Sequence, residues 1–210
     1  MINAKEQISS VRRQVGDRVL EAGQARVGTI SQVYDTGLDD LWEAVTSAER
    51  IARWFLPISG ELREGGKYQF EGHAGGTISR CDKPHGFAAT WEYNGDVSWV
   101  EVRLSAEGDG RARFELEHVA HVADEFWAQY GPSATGMGFE MGLVGLYLHL
   151  RNPAAPRDND AVTAWTTSEE GKLFQRLSSD SWAEADIENG TDPATARARA
   201  DRCYAAYTGS

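Results

Sequence analysis

The stretch YDTGLDDLWEAVTSAERIARWFL, residues 34–56, decides the fold. Leu38, Leu41, Trp42 and Val45 fall at i, i+3, i+4 and i+7, which is one face of an amphipathic helix. Thr46, with Glu49 three residues on, matches a capping box and restarts the chain as a second short helix. That helix closes on Trp54-Phe55, and Pro57 stops it. Upstream, roughly Val19 to Tyr34 reads as extended, with Val27, Thr29, Ser31 and Val33 alternating against Ile30 and Tyr34. Residues 3–15 are expected to form a short helix with Ile8, Val11 and Val15 on one side.

Downstream the period changes to two. From Ser59 to Val122, turn residues at 64–66, 71–76, 82–84, 94–96 and 108–110 bound about six short strands, an antiparallel meander. Phase assigns the inner face. Phe87, Ala89, Trp91 and Tyr93 share one side, as do Val100, Val102 and Leu104, and Phe114, Leu116, His118 and Ala120.

A helix from Ser133 to Arg151 follows, apolar over most of its circumference and so expected to be buried. Gly138, Gly142 and Gly145 form a stripe along it where another element could approach closely. NPAAPRDND, residues 152–160, reads as a linker. Thr167 and Glu170 can cap a further helix carrying Leu173, Phe174, Leu177 and Trp182, and Asp192-Pro193 starts the last one, which presents Ala200, Cys203, Tyr204 and Tyr207. Such a hairpin is too small to stand alone and should dock on the main domain or on a second subunit.

The net charge of −11 across 210 residues, with no basic cluster beyond Arg12-Arg13, argues against nucleic acid as a partner. The N-terminus has no apolar signal region, and Met137–Leu150 falls short of the roughly 20 apolar residues that span a bilayer. Cys81 and Cys203 read as two reduced thiols. A cytoplasmic location without membrane association is the resulting expectation.

Leu41-Trp42, Trp54-Phe55, and Asp82-Lys83-Pro84 leading to Thr90-Trp91 carry a more specific likeness, as does Gly138-Phe139-Glu140 at the long helix. In these positions the chain resembles START/Bet v 1-like (SRPBCC) proteins, in particular the group resembling the activator of heat-shock-protein-90 ATPase. The likeness covers about residues 26–151, leaving an N-terminal arm (1–25) and a C-terminal helical extension (152–210) outside it. It implies an α+β helix-grip fold: a curved antiparallel sheet of about seven strands on a long helix, with a cavity between them for an apolar or amphipathic molecule. It supplies no shared catalytic motif.

On that expectation Trp54, Phe70, Trp91, Tyr93, Phe114, Phe139 and Leu143 would line a ligand pocket, with His118, Glu140 and Tyr147 as its few polar anchors. Each has a plainer reading. The aromatics could fill a solid core, His118 could be satisfied by a neighbour in the core, and Glu140 could simply sit near a helix N-terminus. His118 and His121 are three apart on a strand and point to opposite faces, so no metal is expected, and no cofactor either. The glycine pairs are hairpin turns rather than phosphate loops, and neither a G-x-S-x-G elbow nor a Cys–His arrangement is present. A ligand-binding protein is the leading expectation. A cyclase- or isomerase-like enzyme using His118 and an interaction module using the C-terminal hairpin, which could also mediate a homodimer, are the alternatives.

Overall fold

The computed structural model describes residues 2–209. In chain order it contains α1 (Ala4–Ser9), β1 (Val11–Leu20), β2 (Gly23–Tyr34), α2 (Leu38–Thr46), α3 (Ala48–Ile51), β3 (Ile58–Gly60), β4 (Lys67–Phe70), β5 (Gly75–Asp82) and β6 (Gly86–Tyr93). Then follow β7 (Asp96–Gly108), β8 (Arg111–Ala120), α4 (Asp124–Tyr130), α5 (Ser133–Arg151), α6 (Asn159–Thr167), α7 (Glu169–Glu188) and α8 (Pro193–Thr208). The eight strands run in the order β1-β2-β8-β7-β6-β5-β4-β3, an α+β helix-grip architecture. The chain forms two compact units, one of residues 1–30, 121–141 and 158–210, the other of residues 31–120 and 142–157.

In the second unit, the period-two stretch forms the expected six-strand meander, β3 to β8, each antiparallel to the next. Leu41, Trp42 and Val45 of α2 are buried, as the helical spacing requires. The capping box is not used. Ser47 is the N-cap of α3 and makes no side-chain cap bond, while the Thr46 hydroxyl donates back to the Trp42 carbonyl at 2.7 Å. A threonine at the end of one helix can satisfy a carbonyl of that helix instead of capping the next.

In the first unit, the expected helix over 3–15 is only α1. Asn3 caps it through the Glu6 N–H, and the chain turns extended at Val11, so Val11 and Val15 lie on a strand. The extended region breaks at Glu21-Ala22 into two strands, which raises the strand number from about seven to eight. Two helices were not anticipated, α4 and α6, the latter starting inside the linker behind an Asp158 cap on the Ala161 N–H. For α7 the cap is Ser168, one residue beyond Thr167, accepting from the Gly171 N–H. The Asp192 cap with Pro193 in the first turn of α8 is as expected.

Trp182 is the largest fully buried side chain of this unit, with Phe174, Met137 and Cys203 also almost without exposure. The Trp182 indole lies against Gly136, where an added Cβ would meet Cε2 at 2.2 Å. Gly136 is therefore the close-approach glycine here, and it lies outside the expected stripe. Within the stripe, Gly142 has nothing within 4 Å and Gly138 only the Tyr207 hydroxyl at 3.7 Å. Ala183, Ala196 and Ala200 join α7 to α8, the Ser179 hydroxyl donates to the Ala200 carbonyl at 2.7 Å, and Arg199 pairs with buried Asp186 at 3.1 Å.

Candidate functional site

The antiparallel register of the second unit places side chains in rows, because directly paired residues share a face. Trp91 pairs with Ser98 and Ser98 with Ala120, while Ala89 pairs with Val100 and Val100 with His118. Trp91, Ser98, Ala89, Val100 and His118 therefore occupy one face, as phase within the strands predicts. Ile51, Tyr68, Phe70, Ala89 and Val100 form a buried cluster, and Trp54, Phe55, Ile78 and Trp91, all half-buried, pack against it.

The aromatic rings are in continuous contact. Phe55 meets Phe70 edge-on at 5.0 Å, and Phe70 meets Trp91 at 5.6 Å with the rings tilted. Trp54 lies 5.8 Å from Phe55 and donates its indole N–H to the Ala44 carbonyl at 2.9 Å. Arg157 holds this corner by donating to the Trp54 carbonyl at 3.0 Å and also to the Phe55 carbonyl. The exposed ring of His73 stacks on Tyr93 at 5.1 Å and stands edge-on to Trp91.

The polar part of this face is a short relay. The Ser98 hydroxyl donates to the Trp91 carbonyl at 3.1 Å and lies 2.9 Å from His118 Nε2. With its proton so used, the hydroxyl accepts from His118 Nε2–H. Burial lowers the pKa of His118 to about 4, so the ring is neutral near pH 7. Tyr68 donates to the Thr90 carbonyl at 2.7 Å, and burial pushes its phenol up to about 12.

The His118 shift has a thermodynamic consequence with a definite sign. Between about pH 6.5 and about pH 4 the unfolded chain binds a proton that the folded chain does not, so stability falls as the pH drops through that window. The loss attributable to His118 should reach about 3 kcal/mol, from about 1.4 kcal/mol per pKa unit. Urea titrations at pH 7 and pH 4.5 check it. The drop should shrink in His118→Phe, and an equal drop in that variant would remove the histidine as its cause.

Of the expected pocket residues, Trp54, Phe70 and Trp91 come together, with His118 on the same sheet face as Trp91. Tyr93 ends its strand and is 46% exposed, so it borders the cluster instead of lying within it. Phe114 pairs with Leu104, four residues along β8 from His118, or about 13 Å at the strand rise. Leu143 is buried and its carbonyl accepts from the Tyr34 hydroxyl at 3.3 Å. Tyr147 accepts from Arg151 at 2.7 Å, with the guanidinium also 5.5 Å from its ring centroid. Phe139 and Glu140 belong to the first unit. There Glu140, 1% exposed, is bound through Oε1 to Arg13 Nε at 2.5 Å. Sequence reading missed Phe55, Tyr68 and Ser98. Ser98 was within reach, being in phase with Val100, Val102 and Leu104.

The description "Activator of Hsp90 ATPase homolog 1-like protein" matches residues 35–143, more than half of the chain. The chain belongs to this family. Among solved structures, CalU16 from Micromonospora echinospora is similar to this chain. Its crystal structure is 34% identical, with 84% of this chain and 98% of that one covered and a TM-score of 0.65. Its solution structure is 33% identical over 86% and 97%, with a TM-score of 0.68. DynU16, from the dynemicin biosynthetic locus, is similar in fold at 17% identity, with 62% and 49% covered and a TM-score of 0.53. No curated protein matches the chain. Among the described residues no helix is long and apolar enough to cross a membrane.

Proposed function

We propose that this protein binds a small apolar or amphipathic molecule at the aromatic face of the second unit, with Trp54, Phe55, Phe70 and Trp91 as the apolar contacts. The observation that carries this reading is the half-burial of Trp54, Phe55 and Trp91 beside a buried cluster. Rings so placed have apolar area left to cover, and the Ser98–His118 pair on the same face offers a sparse polar anchor, the usual composition of a ligand site. A neutral histidine suits hydrogen bonding to a ligand oxygen or nitrogen better than pairing with an anion.

Trp91→Ala should weaken binding of a fluorescent probe such as 1-anilinonaphthalene-8-sulfonate by roughly tenfold, given the area one indole buries. Circular dichroism would establish that the variant is folded. Unchanged probe affinity in a folded variant would remove this face as the site. Organic extraction of protein purified from its host, followed by mass spectrometry, would then name the ligand class. A proton-transfer role for His118 is the second reading, favoured by its ordered bond to Ser98. It predicts turnover that His118→Ala abolishes while binding persists. For the interaction reading, the hairpin offers less than expected: Trp182 is 1% exposed and only Tyr207, at 46%, presents a large apolar surface there.

A further inference from the structure

The first unit has a cleft of its own, and nothing about it rests on the function proposed above. Its volume is about 370 Å³, which falls within the range of small-ligand sites. Strand β1 contributes Gln14 and Val15 to the lining, and its sheet neighbour β2 contributes Val27 and Thr29. The C-terminal end of α7 contributes Glu188 and the C-cap Asn189. Val15 and Val27 are half-buried and give the cleft an apolar part. No lysine or arginine lines it. Among the described residues, the side chains of Gln14, Thr29, Glu188 and Asn189 make no hydrogen bond to the rest of the chain. Four polar groups are therefore available to an occupant.

Glu188 stands against the local field. It ends a 20-residue helix, where the macrodipole is negative and favours a cation, yet that last turn holds no basic residue. The other acidic side chains near this end of α7 are neutralised, Asp186 by Arg199 at 3.1 Å and Glu184 by Arg197 at 3.7 Å. Glu188 forms no ion pair among the described residues. The cleft thus combines an uncompensated carboxylate with the negative end of a helix. We propose that it binds a small molecule carrying a primary ammonium group on an apolar stem. The ammonium pairs with Glu188, and the side-chain oxygens of Gln14, Thr29 and Asn189 are the acceptors open to its N–H groups. Val15 and Val27 receive the stem. A single carboxylate is a poor match for calcium or magnesium, which require a shell of several oxygen ligands.

The test is proton–nitrogen-15 NMR of the full chain at pH 7, titrated with butylammonium chloride against sodium chloride and against butan-1-ol. Saturable movement of the Gly16 backbone amide and the Gln14 and Asn189 side-chain amides with butylammonium, and none with sodium chloride, is the expected result. Glu188 is exposed, so Glu188→Gln should fold normally and weaken butylammonium binding roughly fivefold through the lost charge. Thr29→Val keeps the side-chain shape, removes one acceptor and should also weaken binding. No saturable shift, or one that sodium chloride reproduces, overturns the site. Equal affinity for butan-1-ol overturns the role of charge, and tighter binding of calcium overturns the ammonium assignment. Tighter binding of Nα-acetyl-lysine methylamide than of butylammonium overturns the small-molecule assignment in favour of a lysine side chain. Butylammonium affinity unaltered in both variants overturns the residue assignment.

Discussion

Replacing Arg13 with methionine is expected to destabilise the protein by about 3–5 kcal/mol, because it strands the Glu140 carboxylate in the interior. Glu140 is 1% exposed and the Arg13 side chain 7%, and their 2.5 Å contact is the only hydrogen bond that either Glu140 oxygen makes among the described residues. Oε2 is buried and already has no donor, so the carboxylate has no reserve of hydrogen bonds with which to survive the loss of Arg13. Arg13 is fixed as well by donating to the Val11 carbonyl at 3.0 Å. A buried charge with its partner removed is far costlier than a pair replaced whole. Hence Glu140→Gln in the Arg13→Met background should recover much of the loss, since it takes away the charge that was stranded. Denaturant titration of the two single variants and the double variant measures the coupling. Additive losses would mean that the two side chains are not an energetic pair.

Gly145→Ala is the second large effect. An added Cβ would stand 2.3 Å from the Trp54 carbonyl oxygen and 3.3 Å from its carbon. That carbonyl cannot withdraw freely, since Arg157 holds it at 3.0 Å and Gly145 lies mid-helix. Overpacking against backbone typically costs about 1–3 kcal/mol, and the alanine's better helix propensity returns at most about 1 kcal/mol of it. A net loss of about 1–2 kcal/mol should lower the melting temperature by roughly 2–8 °C in a chain of this size. Gly142→Ala, one turn earlier and with nothing within 4 Å, carries no such penalty and should be neutral or stabilising. If both substitutions behave alike, the contact with Trp54 does not govern this helix. Displacement of Trp54 would also disturb the aromatic face, so Gly145→Ala should weaken probe binding even where the chain remains folded.

The comparison of these two glycines shows how far a sequence can be read. That helix 133–151 carries small residues in a stripe is plain from the letters, and its ends match the structure. Which glycine is approached is not. Gly145 meets Trp54 and Gly136 meets Trp182, while Gly142 meets nothing, because contact depends on where distant segments pass. The strand phases fared similarly. Val100, Val102 and Leu104 are buried as period two demands, yet Tyr93, in the same phase on its own strand, is exposed because the strand ends there.

Local physics determined the helix-grip order: the spaced apolar face of α2, the aromatic pair after α3, the turn-bounded meander and the long apolar helix are all written in residue types and intervals. The family follows from the same stretch. What tertiary structure alone decided is the partnership of the buried charges. Glu140, marked by sequence as a pocket anchor, is paired with Arg13, 127 residues away, and Arg50 with His149, 99 residues away. Periodicity reports which face of an element is buried, but a charge's partner is set by which element arrives opposite it. That arrival is a property of the folded chain as a whole.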